Sequence, residues 1–264
     1  MYQLTDFLPT TKKELELRGW DEADVVLFSG DAYIDHPAFG AAVIGRVLEA
    51  QGLRVALVPQ PDWRGDWRDF RKMGRPRLFF AVSAGNMDSM VNHYTANKRL
   101  RSDDAYSPDG RPNMRPDYAT TVYCNILKKL YPDVPVVIGG IEASLRRVTH
   151  YDYWSDKLMP GILVDSKADL AVYGMGEKPI IRLVDEVKKG RNFWELTDIP
   201  QTSYLAKTPP SGGWGADTIE LVPHEVCLTD KRKYASNFKH IEIESNKFEA
   251  KRIVQKTGKS WVVV

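Results

Sequence analysis

Cysteine is nearly absent: 264 residues hold two, Cys124 and Cys227, far apart in the chain. That excludes a disulfide framework and a cysteine-only metal cluster, and both thiols read as buried and inert. Long apolar runs are missing too. No stretch approaches the roughly 18 residues that a membrane span needs. The opening MYQLTDFLPTTKKE lacks the charged-then-apolar order of a secretion signal, so a cytoplasmic protein with no membrane partner is expected. There is no excess of one charge either: the net is +2, which does not announce a nucleic-acid binder. Three catalytic signatures are absent. No GxGxxG follows the first apolar run, no GxxxxGK[ST] occurs, and no HExxH occurs.

What is present is a globular composition, 43% apolar and 11% aromatic, and a repeated pattern. Asp24–Gly30 (DVVLFSG), Arg54–Gln60 (RVALVPQ), Arg77–Gly85 (RLFFAVSAG), Val134–Ile141 and Ala168–Gly174 (ADLAVYG) are short apolar runs closed by small or polar residues. Helical stretches separate them. Pro37–Ala50 sets Phe39, Val43, Val47 and Ala50 on one stripe, and Glu177–Lys189 is stopped by Gly190. Strands that are apolar on both faces and alternate with helices imply a parallel sheet. The fold class is α/β, a Rossmann or flavodoxin-like doubly wound sheet of order 2-1-3-4-5, with a small β-containing C-terminal appendage. Residues 1–190 read as the Rossmann-like domain and 191–264 as appendage and connector.

Within the appendage, 191–218 is a turn-rich connector, 229–246 a short charged helix plus a strand, and 251–264 a hairpin around Thr257-Gly258-Lys259. The chain stops at Val262-Val263-Val264, inside an apparent strand, and more protein is expected beyond it. Residues 96–117 form a long polar, basic loop, a length usually functional or disordered.

Ligands of an open parallel sheet bind beyond the carboxyl ends of its strands. The residues placed there are Asp31, Asp35 and His36 after the first strand; Ser83, Asn86 and Asp88 after the third; Gly139, Gly140, Glu142, Arg146 and Arg147 after the fourth; and Glu177 after the fifth. They form a substrate or interdomain rim, with glycines clearing the backbone for close approach. Glu142 and Glu177 also admit a plainer reading, as carboxylates serving N–H groups at a helix start. The segment SLRRVTHYDYWSDK, 144–157, mixes arginine with aromatics, which suits an interface or local packing.

The strings GDAYIDHPAFG, QPDWR, SAGNMDSMVNHYTA, DDAYSPDGRP, VIGGIEASLRR, HYDYWSDK and YGMGEK occur in this order. With them the chain resembles the N-terminal region of the YgiQ-type radical SAM proteins, from FLPTT at 7–11 to the terminal hairpin. More loosely it is similar to the cobalamin-binding-like domain that precedes the radical SAM barrel in related proteins. The resemblance implies an accessory domain that shapes the substrate cleft or docks the barrel of the same longer chain. That barrel would bind a 4Fe-4S cluster through CxxxCxxC, together with S-adenosylmethionine. This chain lacks CxxxCxxC, so no metal, cofactor or catalytic residue of its own is expected. Cobalamin is not expected either: Asp35-His36-Pro37-Ala38-Phe39-Gly40 departs from the Asp-x-His-x-x-Gly of cobalt-ligating domains. The substrate is not named by the sequence. Two other readings stay open. One is a module for a small ligand, corrinoid or nucleotide. The other is an RNA-binding module using Lys98, Arg99, Arg101, Arg111 and Arg115, with the aromatics of 151–154 as stacking surfaces.

Overall fold

The computed structural model describes residues 6–32 and 40–264. A capped helix, α1 (Lys12–Leu17), leads to β1 (Val25–Ser29), α2 (Gly40–Ala50), β2 (Val55–Pro59), α3 (Arg68–Arg71) and β3 (Phe79–Ser83). Then come α4 (Ser89–His93), α5 (Ala119–Leu130), β4 (Val136–Gly139), α6 (Gly140–Leu145), the ribbon β5 (His150–Asp152) and β6 (Lys157–Met159), α7 (Ile162–Ser166), β7 (Leu170–Val172) and α8 (Glu177–Lys188). The remainder is β8 (Thr202–Ala206), β9 (Thr218–Leu221), α9 (His224–Thr229), α10 (Lys231–Ser245), β10 (Arg252–Thr257) and β11 (Ser260–Val263).

One nine-stranded sheet runs β2-β1-β3-β4-β7-β8-β11-β10-β9. Its first five strands are parallel, which is the expected 2-1-3-4-5 order. The register aligns Ser29 with Pro59 and with Ser83, and Ser83 with Gly139. One line across the sheet therefore marks the carboxyl edge. These strands are apolar throughout because both faces are covered. One face buries Phe28, Phe80, Tyr123 and Leu127 under α5 and α7, and the other buries Leu27, Leu57, Leu48 and Leu183 under α2 and α8. Phe28 stacks on Phe70 at 5.2 Å and meets Phe80 edge-on at 5.9 Å, the geometries that aromatic rings prefer.

The appendage continues the same sheet. β8 is antiparallel to β7, β11 to β8, and β10 to β11, while β9 runs parallel to β10. Two reversals return β11 to the direction of β7. The chain thus reaches Val264 at the carboxyl edge of the parallel strands.

Three expectations need correction. The stripe Phe39, Val43, Val47, Ala50 is not the buried face of α2: Ala41, Gly45 and Leu48 are buried and Val43 is 43% exposed, while Phe39 lies outside the described residues. GAAVIGRVLEA is apolar nearly all round, so its period is ambiguous, and the small residues admit close neighbours. A Cβ on Gly45 would sit 2.3 Å from Leu8 Cδ1. Residues 229–246 hold no strand. The alternation in Ile241-Glu242-Ile243 lies within α10, whose first turn is held by the Asp230 side chain accepting from the N–H groups of Arg232 and Lys233. The connector 191–218 contains β8, recruited because β7 and β11 each offer it a free edge.

Candidate functional site at the carboxyl edge

The carboxyl edge is built in two layers. The outer layer is an open cleft of about 460 Å³, lined by Ser83, Gly85, Asn86, Gly139, Gly140, Gly174, Met175, Gly176 and Glu177, with Ile44, Ile141 and Ile180 as apolar wall. Gly140 has φ +82, and a Cβ there would stand 2.7 Å from Ser83 Oγ. Only glycine lets β4 turn into α6 at this point, whereas Gly139 is in extended backbone with room for a Cβ, 3.5 Å from the Val172 carbonyl oxygen. Ser83 Oγ accepts from the Gly85 N–H at 3.2 Å, and the Asn86 side-chain amide donates to Tyr106 Oη at 2.7 Å. Glu177, half-buried in the first turn of α8, makes no side-chain bond to any described residue.

The inner layer is polar and sealed. Asp31 is 1% exposed. It accepts from the Asn86 N–H at 2.6 Å and from Arg115 Nη1 at 2.7 Å. Burial raises its carboxyl above the ordinary range, and Arg115 only partly opposes this. Arg115 is fully buried and also pairs with Asp104 at 3.0 Å and with the Ala84 carbonyl at 2.9 Å. Burial works upward on Asp104 as well, but Arg115, Ser107 and the Tyr106 N–H outweigh it and hold that carboxyl low.

Glu142 is equally enclosed, at 1% exposure. It serves a helix start, but not its own. Its oxygens accept from Thr120 N–H at 2.7 Å, in the first turn of α5, and from Ser89 Oγ at 2.5 Å. Ser89 Oγ in turn accepts from the Ala119 N–H. Two N–H groups left over at the start of α5 are thereby satisfied from α6 and α4. Asp88 caps α4 by accepting from Met90 and Val91 N–H, and it pairs with Arg146. Arg146 also lies 3.6 Å from Glu142. Burial disfavours its charge, yet Asp88, Glu142 and Asp152 together keep the guanidinium firmly protonated.

The structure therefore gathers Asp31, Ser83, Asn86, Asp88, Gly139, Gly140, Glu142, Arg146 and Glu177 at one edge. Only Ser83, Asn86, the two glycines and Glu177 face the cleft. Arg147 does not line the cleft; its guanidinium lies 4.2 Å over the ring of Tyr173, the residue that follows β7 at the same edge. Asp35 and His36 lie outside the described residues. The residues that sequence reasoning missed are Arg115, in the role it has, and Asp104, Ser89 and Thr120. Arg115 is enclosed in ion pairs rather than presented to solvent. The proximity of Asp104 to Arg115 in the loop 96–117 was the available signal.

That loop is tied down rather than loose. Lys98 lies 4.9 Å over the Tyr153 ring and donates to the Trp154 carbonyl at 2.8 Å. Tyr94 stacks on Trp154 at 3.8 Å, and Tyr118 Oη donates to Asp152 at 2.8 Å. The ribbon β5–β6 and the loop form one surface, on which Tyr151 and Tyr153 remain exposed.

The family described as Radical SAM N-terminal matches residues 7–264. The chain belongs to that family. UPF0313 proteins are similar over the whole chain. That of Bacteroides thetaiotaomicron is 63% identical across 100% of this chain and 44% of its own length. That of Porphyromonas gingivalis is 64% identical across 100% of this chain and 42% of its own. That of Methanocella arvoryzae is 52% identical over 96% of this chain and 42% of its own. The chain thus spans less than half the length of the relatives it matches.

The residues of this radical SAM N-terminal chain do not fit an iron–sulfur cluster. Cys124 is buried in α5, where burial pushes its thiol well up. Cys227 is enclosed by Asn237 Nδ2 at 3.3 Å and the Val222 carbonyl at 3.6 Å. Among the described residues no three metal-ligating side chains converge, and no helix is long and apolar enough to cross a membrane.

Proposed function

We propose that this chain is the accessory sheet domain of a longer, YgiQ-type, cytoplasmic radical SAM enzyme. Its carboxyl edge forms one wall of the substrate cleft and faces the barrel, where a 4Fe-4S cluster and S-adenosylmethionine would supply the radical. The observation that carries this reading is the apolar exposure beside the cleft: Ile141 is 41% exposed, Leu145 65%, Met175 75% and Val91 53%. Clustered apolar exposure beside a cleft is characteristic of a docking surface. In this reading Ser83, Asn86 and Glu177 contact substrate, while Asp31, Asp88, Glu142 and Arg146 hold the loops that present them.

The test is site-specific labelling of the longer protein. Met175→Cys and Phe248→Cys variants are treated with a maleimide under anaerobic conditions and mapped by peptide mass spectrometry. Phe248 is fully exposed and belongs to the appendage. Cys at 248 is expected to react at the rate of a free thiol and Cys at 175 at least about tenfold more slowly, the protection of a site that opens at a cost of about 1.4 kcal/mol. Equal rates at the two positions would remove the docking reading.

A further inference from the structure

Arg146 and Arg147 are neighbours in sequence and differ in what surrounds their charge. Arg146 is held by Asp88 and Glu142. Arg147 is half-buried, and none of its N–H groups donates to a described residue. No described carboxylate stands near enough to oppose the loss of solvent, so burial pulls its proton affinity down, with Tyr173 working the other way. This guanidinium loses part of its hydration without gaining a partner but still reaches solvent, and an anion joining it recovers the lost interaction.

The arm that bears it is fixed. The Arg146 carbonyl accepts from the Ile162 N–H at 2.7 Å, and the Thr149 N–H donates to the buried Gln255 side chain at 2.8 Å. The main chain of Arg147 presses on Gly161, where a Cβ would lie 2.5 Å from the Arg147 carbonyl oxygen. The platform is fixed as well: the Tyr173 N–H donates to the Gln201 carbonyl at 3.1 Å, and the Gln201 amide returns a bond to the Tyr173 carbonyl at 3.4 Å. A guanidinium held over a ring by its central carbon, here 4.2 Å from the centroid, leaves N–H groups free of the ring, and the guanidinium fork matches the two oxygens of a carboxylate or phosphate.

We propose that Arg147, held over the Tyr173 ring, is an oxyanion receptor at the carboxyl edge and takes a phosphate or carboxylate group. It rests on the reading of this edge as a substrate wall and adds the chemistry of what is bound: an anionic substrate, or an acidic side chain of the protein beyond Val264. Neighbouring charge does not compete. His150 is held neutral, its pKa pushed down to about 4 by burial, and Arg146 is already paired.

The test follows the Nε–H signal of Arg147 by nuclear magnetic resonance in arginine-labelled protein during titration with inorganic phosphate and, separately, acetate. Arg111, which is exposed and paired only with Asp109 at 3.1 Å, is the internal reference. A saturable shift at Arg147 and a linear, weak one at Arg111 are expected. Arg147→Lys should keep the melting temperature, and phosphate protection of the Tyr173 ring signals should weaken about tenfold, because a point charge cannot reproduce the fork. A response at Arg147 no stronger than at Arg111, or ring shifts unchanged by Arg147→Lys, would overturn the proposal. The longer protein separates the two sources. Continued response to phosphate there assigns the site to substrate, and silence there after a positive result here assigns it to a carboxylate of the remaining chain. The maleimide experiment does not depend on anion binding, so failure of this receptor and failure of the docking reading are distinguishable.

Discussion

The two halves of the sheet are covered differently. In the parallel half every residue of β1 is buried, as are the first four of β2 and of β3, because helices lie on both faces. In the antiparallel half β10 exposes Arg252 and Lys256 while burying Ile253, Val254, Gln255 and Thr257, and β9 buries only Leu221. Helices α9 and α10 pack on β10 and β9 yet leave Leu228 54% and Phe238 59% exposed. The lesson concerns where stability and function reside. The parallel half supplies the core and the fixed edge. The antiparallel half steers the chain back to that edge.

The comparison breaks most readily at Arg115. Replacing it with Ala strands Asp31 and Asp104 as buried, unpaired carboxylates, and a loss of about 3–5 kcal/mol is expected in urea unfolding. A loss under about 1 kcal/mol would mean that the loop 96–117 is not tied to the parallel half through this residue. Phe80→Ala tests the core itself: its fully buried ring meets Phe28 and Tyr131, and about 3 kcal/mol or somewhat more should be lost. The fully exposed Phe248 of the antiparallel half should give the smallest effect of all. Phe248→Ser is expected to stay within about 0.5 kcal/mol, and a larger loss would show that the appendage has a core of its own there.

Between these extremes lies a pH effect. Folding depresses the His150 pKa from 6.5 to about 4, so the folded state binds this proton less readily than the unfolded chain. Stability from this group is complete above pH 6.5 and declines as pH falls toward 4, by no more than about 1.4 kcal/mol per pH unit. Thermal unfolding across that window should slope downward toward acid, and His150→Gln should flatten it. An unchanged slope would place the acid sensitivity elsewhere.

The five parallel strands were legible in the sequence because a strand covered on both faces must be apolar along its whole length, a local and visible property. Their shared edge followed too, since parallel strands end on one side, and this is why Ser83, Gly139 and Glu177 meet. The appendage was less legible. β8 is a strand because its neighbours on either side need one, and α10 is a helix although Ile241-Glu242-Ile243 alternates like a strand.

By itself, then, the sequence determined the class of fold, the edge where chemistry can sit, and the family strings. Tertiary structure alone decided which charges at that edge are spent and which are free. Arg146 and Arg147 are chemically identical and adjacent, yet only one meets Asp88 and Glu142. Arg115 reads as a solvated loop cation, yet it lies between Asp104 of its own loop and Asp31 from the end of β1. The physical reason is that a charge is neutralised by what folding brings within a few ångströms of it, and chain order does not record those distances.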